Sequence, residues 1–164
     1  MYKAYTNVTN LISKILGFIT MIFLILMVIA CFAQVCVRNM GLSVPWIEEV
    51  SRYSQVWITF LGGSLAYKHS SLAAVELLKN KLKGKAGAIL DLFIWVLCVT
   101  FFVLMVRHGF ALASKMAMQI TPSLKISKAY VYGALPMGGC FMLLFSLEHL
   151  INDIRTLTGK EDKA

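Results

Sequence analysis

The chain has 164 residues, 59% apolar and 15% charged, with a formal net charge of +8 and a mean hydropathy of +0.74. That balance excludes an ordinary soluble core and leaves little loop for a catalytic module, so a single-domain, all-α, multi-pass membrane protein is expected. The basic excess falls mostly between apolar runs, where anionic lipid headgroups are the natural counter-charge and no nucleic-acid partner is called for.

Residues 1–14 are mixed polar and aromatic, with Val8, Leu11, Ile12 and Ile15 at helical spacing, which predicts a short interfacial helix leading into the membrane. Residues 15–37 carry no charge. At about 1.5 Å per residue they reach about 34 Å, more than the roughly 30 Å hydrocarbon core, and form the first predicted span. The run is also too long for a signal-peptide core of about 7–15 residues, so it reads as a retained anchor.

The connector Arg38 to Pro45 is short and contains Gly41, so the second predicted span, 46–67, returns antiparallel beside the first. Pro45 suits a helix start and Trp46 a headgroup-level anchor. Glu48, Glu49 and Arg52 follow at once, although a charge in hydrocarbon costs about 2.5–3.5 kcal/mol. The positive end of the helix dipole and the i,i+4 spacing of Glu48 and Arg52 reduce that cost. Further along, Gly62, Gly63 and Ala66 include a small-xxx-small pair, which serves either packing within the chain or docking of another chain.

Lys68 to Lys85 is basic, with Leu72, Val75, Leu78 and Leu82 on one helical face. It predicts an amphipathic connector lying along the lipid surface, with Lys79, Lys81, Lys83 and Lys85 as a lipid-facing basic cluster. The third predicted span is 86–106, carrying Asp91, with Gly109 as a candidate break beyond it. Thr121, Pro122 and Ser123 mark a turn outside the membrane. The fourth predicted span, 128–150, contains Pro136, Gly138 and Gly139, the signature of a kink or a close helix contact.

Four spans place both termini on one side. Lys3, Lys14, Lys68, Lys79, Lys81, Lys83, Lys85, Arg155, Lys160 and Lys163 lie on that side, against Arg38, Arg107, Lys115, Lys125 and Lys128 opposite. The positive-inside rule then makes both termini cytoplasmic and the Trp46 end of the second span external.

The sequence contains no phosphate-binding loop, serine-hydrolase elbow or zinc-protease motif, so no enzyme activity is expected. Cys31, Cys36, Cys98 and Cys140 all fall in apolar runs and read as packing residues, with no metal site or cofactor expected. Glu48 and Glu49 are adjacent acids of the kind that can hold protons or sodium, but adjacent helical residues point about 100° apart, which favours an interfacial or structural role. Two further classes fit the composition. One is a self-contained four-helix exporter using an intramembrane glutamate; the other is the membrane anchor of a redox enzyme, with His108 and His149 as the only conceivable haem ligands.

The run Pro45-Trp46-Ile47-Glu48-Glu49, then Arg52-Tyr53, Trp57, Phe60-Leu61-Gly62 and Ala66, resembles the first signature of the DctQ family, the small membrane subunits of tripartite ATP-independent periplasmic (TRAP) transporters. Thr121-Pro122-Ser123-Leu124, Tyr132 and Leu135-Pro136-Met137-Gly138 resemble the second. The chain departs from the family pattern after the second span, where Ser71 to Glu76 keeps the acid but lacks the usual histidine.

The resemblance implies a four-helix scaffold in the bacterial inner membrane. It would be bound to a large membrane subunit that moves an organic acid, such as sialic acid or a C4-dicarboxylate, together with sodium, and would be served by a periplasmic substrate-binding protein. On that reading Trp46, Glu48, Glu49, Arg52, Trp57, Gly62, Gly63 and Ala66 are candidates for assembly. Arg38, Asn39, Lys115 and Lys125 are candidates for docking the binding protein, and sodium coupling belongs to the large subunit.

Overall fold

The computed structural model describes residues 2–69 and 85–157, with side chains described over 5–69 and 93–150. Helix α1 is Tyr2–Asn39, α2 Pro45–His69, α3 Lys85–Met116, α4 Ala129–Tyr132 and α5 Ala134–Leu157. Among the described residues the only extended pairing is an isolated antiparallel bridge between Ile120 and Ser127. Three stretches are long and apolar enough to cross a membrane: Tyr5–Asn39, Phe93–Met116 and Ala129–Leu150. Helix α2 is not among them, because its Ser, Gln and Gly residues dilute its apolar character together with Glu48, Glu49, Arg52 and Lys68. The basic connector with Lys79, Lys81 and Lys83 lies outside the described residues, and Lys85 is the first residue of α3.

Two expected boundaries move. No separate interfacial helix precedes the first span, since α1 is continuous from Tyr2. In its opening turns the Thr9 and Ser13 hydroxyls, both buried, donate to the carbonyls of Thr6 and Asn10 at 3.0 Å, and so need no water. Nor does Gly109 break the third helix, as α3 runs through it to Met116. Gly109 is instead a contact point: a Cβ there would lie 2.9 Å from Pro136 Cδ. With 32 residues, α3 is about 48 Å long and must tilt or project from a bilayer.

The long helices form an open row, α1–α2–α5–α3, rather than a closed bundle. Each packs on its neighbour in the row, α1 touches α5 at only a few positions, and the α2 and α3 backbones stay apart. Glycines in α5 make its central place possible. A Cβ on Gly138 would sit 2.8 Å from Phe60 Cβ of α2, and one on Gly139 would sit 2.8 Å from Val106 Cγ2 of α3. The close-contact reading of this pair is therefore the one the fold adopts. Pro136 has no N–H to offer the Tyr132 carbonyl four residues back, and there, at Gly133, the helix is interrupted between α4 and α5.

An open row leaves its outer members uncovered. Phe18, Ile22, Ile29 and Phe32 of α1 are exposed, as are Phe93, Leu97, Phe101 and Leu104 of α3. The α1–α2 hairpin closes through Gly41 at φ +72°, the left-handed conformation that ends helices, with the Leu42 N–H donating to the Val37 carbonyl at 3.2 Å.

Candidate functional site

The end of the row that carries the α1–α2 hairpin and residues 117–128 brings the two sequence signatures together. The Thr121 N–H donates to the Ile126 carbonyl at 2.9 Å and its hydroxyl accepts the Ile126 N–H at 3.1 Å, while the Lys125 N–H reaches the Thr121 carbonyl at 3.2 Å. Lys125, at φ +53°, completes this tight turn. The turn leaves the consecutive N–H groups of Ser123 and Leu124 pointing outward as a small concavity suited to an anion. Glu49 fills it, one carboxylate oxygen accepting from Ser123 at 3.2 Å and the other from Leu124 at 2.9 Å. Glu49 is 8% exposed and Thr121 1% exposed, so the contact is sheltered from water. Tyr53, one turn further along α2, lies close to Thr121 and Glu49.

The adjacent acids thus have different tasks. Glu48 is exposed and bonds Arg52 at 3.0 Å, as the i,i+4 spacing predicts, whereas Glu49 is an internal latch between α2 and the turn. Trp57 is internal too, stacked on Phe23 of α1 with ring centroids 5.7 Å apart. Trp46 remains exposed at the start of α2. Arg38, Asn39, Lys115 and Lys125 are all exposed at this same end. Arg38 and Glu48 face a cavity of about 360 Å³ at the mouth of the hairpin, shared with Gln34 and Ser43.

The small residues of α2 divide between its neighbours. A Cβ on Gly62 would make ordinary contact with Thr20 Cγ2 of α1 at 3.8 Å, whereas one on Gly63 would meet Met142 Cε of α5 at 3.1 Å. Gly63 and Ala66 line an apolar groove of about 480 Å³ floored by Met142 and flanked by Phe101 and Met105 of α3. Tyr67 stands edge-on to Phe102 at 5.1 Å on the same groove. Glu48, Arg52, Gln55, Thr59 and Ala66 are exposed along one face of α2. This stripe of polar and small side chains contrasts with the large apolar residues outside α1 and α3.

Sequence reasoning missed the opposite end. The Lys68 ammonium donates to Asn10 Oδ1 at 2.8 Å and Ser13 Oγ at 3.3 Å, lies 3.9 Å from Glu148 Oε2 and sits 5.1 Å above the Phe145 ring. Its side chain is only 7% exposed, and it ties α1, α2 and α5 together. Ser146 Oγ, Glu148 Oε2 and His149 Nε2 are buried without a hydrogen-bond partner beside this node. A lone acid in an otherwise apolar run, Glu148, was the signal available. Among the described residues no three His, Cys, Asp or Glu side chains converge as metal ligands, and the four cysteines are unbridged.

Comparison with known proteins places the chain in a family. The family model described as "Tripartite ATP-independent periplasmic transporters, DctQ component" matches residues 27–156, a range that contains both Glu49 and its turn. The chain is 28% identical over 119 residues to the sialic acid TRAP transporter small permease protein SiaQ of Vibrio cholerae, covering 73% of this chain and 69% of that protein. It is 34% identical over 99 residues to a protein of Haemophilus influenzae described as a TRAP transporter small permease, covering 56% of this chain and 60% of that one.

Proposed function

Since the chain belongs to the DctQ family of TRAP transporter small membrane subunits, we propose that it is the fixed scaffold of a sodium-coupled importer of organic acids, sialic acid being the first substrate to test. It partners a large membrane subunit, which holds the substrate and sodium sites, and an extracytoplasmic binding protein. The chain itself takes no cofactor and forms one membrane domain of four spans. Helix α2 is the remaining span: its 25 residues are about 37 Å long, enough to cross, and its charges are either paired or latched. Both termini face the cytoplasm of a bacterial cell and the Glu49 latch faces outward, consistent with the basic residues near the termini and the middle connector.

The observation that carries this reading is the contrast between faces. Lipid covers large apolar side chains such as those outside α1 and α3 without cost. It covers Arg52, Gln55 and Thr59 poorly and leaves the hollow at Gly63 and Ala66 unfilled, whereas a protein helix can meet both needs. The outward face of α2 is therefore the surface for the large subunit, with Glu48, Arg52, Gly63 and Ala66 at the contact and Gly62 holding α1 from behind. Glu49 and Trp57 support it from inside, and Trp46 anchors its outer end. Arg38, Asn39, Lys115 and Lys125 lie on the side the binding protein approaches, and the Lys79 to Lys85 cluster contacts lipid.

Reconstitution tests the whole reading. Liposomes holding this chain, a large TRAP membrane subunit from the same organism and the binding protein should take up sialic acid with a sodium gradient, and omitting this chain should abolish uptake. Transport by this chain alone, or full uptake without it, would refute the scaffold role. Ala66→Phe should lower the yield of large subunit that co-purifies; an unchanged yield would remove α2 as the docking face.

A further inference from the structure

The cavity at the mouth of the α1–α2 hairpin brings Arg38 together with Glu48, the outermost residue of the α2 docking face. Its walls include Gln34 and Arg38 from the last turns of α1, Ser43 from the connector and Glu48 from the first turn of α2. At about 360 Å³ it falls within the roughly 300–1,000 Å³ of small-ligand sites. Among the described residues Arg38 makes no ion pair, so its guanidinium is available. Glu48 uses Oε1 for Arg52, which leaves Oε2 without a bonded partner. The cavity therefore offers a cation on one wall and a carboxylate oxygen on another, with two neutral polar groups.

From this arrangement we propose that the cavity binds the headgroup of phosphatidylethanolamine, Arg38 holding the phosphate and Glu48 the ammonium. The guanidinium fork matches phosphate oxygens, and a carboxylate within reach favours a headgroup ending in a cation over one carrying net negative charge. Ser43 and Gln34 supply hydroxyl and amide partners for the remaining phosphate and ester oxygens. The acyl chains have a surface to follow, because Val37 and Leu42 line the cavity and Leu42 is exposed. This site requires only that the chain sits in a bilayer; it does not depend on the subunit role.

The test is native mass spectrometry of the full-length chain, purified in mild detergent and offered equal amounts of phosphatidylethanolamine and phosphatidylglycerol. Wild type should retain phosphatidylethanolamine preferentially. Arg38→Gln should weaken retention about tenfold, the loss of one charge-assisted contact. Glu48→Gln should keep phosphate binding but erase the preference. Arg107→Gln, which removes an exposed cation outside the cavity, should change nothing. Equal retention of the two lipids by wild type, no effect of Arg38→Gln, or an equal loss in Arg107→Gln would each overturn the proposal. So would binding of soluble phosphoethanolamine as tight as that of the lipid, which would make the cavity a solute site.

Discussion

Replacing Glu49 separates the two glutamates experimentally. Glu49→Ala removes both acceptors from the turn and leaves the Ser123 and Leu124 N–H groups partly buried without partners. A hydrogen bond to a charged group contributes about 1.5–3 kcal/mol, and an orphaned donor costs about 1–3 kcal/mol. The two bonds share one carboxylate and one turn, so their losses do not simply add, and about 2–4 kcal/mol is expected in total. Glu49→Gln keeps the shape but can offer only one oxygen, and its amide N–H₂ meets a donor, so it should cost about half as much. Glu48→Gln loses only an exposed i,i+4 pair, with an expected change within about 0.5 kcal/mol. Equilibrium unfolding in detergent reads the ranking. Amide hydrogen exchange places it, since protection at Ser123 and Leu124 should fall in the Glu49 variants while that of α3 is kept. Equal stability in Glu48→Gln and Glu49→Ala, or unchanged protection at Leu124, would refute the latch.

Gly138→Ala would put a methyl 2.8 Å from Phe60 Cβ and 3.0 Å from its carbonyl oxygen, so α2 and α5 must separate at a cost of about 1–3 kcal/mol. Gly17→Ala meets nothing within 4 Å and should leave the melting temperature equal or raised, which makes it the control. At the other end of the row, Lys68→Met strands Glu148 in a buried setting and should cost about 3–5 kcal/mol, whereas adding Glu148→Leu should restore most of that loss. A double variant as unstable as the single one would show that Lys68 acts through Asn10 and Ser13 instead.

The helices were legible because apolar runs of this length admit little else, and so was the Glu48–Arg52 pair, because four residues of helix separate its members. The Glu49 latch spans 74 positions and the Lys68–Glu148 contact 80, and no local pattern links such partners. The resemblance to the family put Glu49 and the Thr121–Leu124 turn in view as separate signatures. Only the fold makes one the anion and the other its receptor. Gly109 misled for a related reason, since a glycine in an apolar helix reads as a break until the neighbour that needs its missing Cβ, here Pro136, is in place.

The open row had a deeper cause for being hidden. In a soluble protein the apolar face of a helix points to its core, so periodicity reveals packing. In a bilayer the lipid is as apolar as the core, and α1 and α3 are apolar on faces that touch protein and on faces that touch none. Information about contacts then shifts to the residues lipid does not favour. Thr9, Ser13, Ser54, Ser64 and Ser146 are buried at helix contacts, and Gly109, Gly138 and Gly139 mark the closest approaches. By the same logic the polar and small stripe on α2, exposed in the isolated chain, is the surface on which the proposed subunit contact is to be tested. Loss of large-subunit co-purification in Ala66→Phe, with unchanged unfolding of the chain itself, would locate that contact on this face.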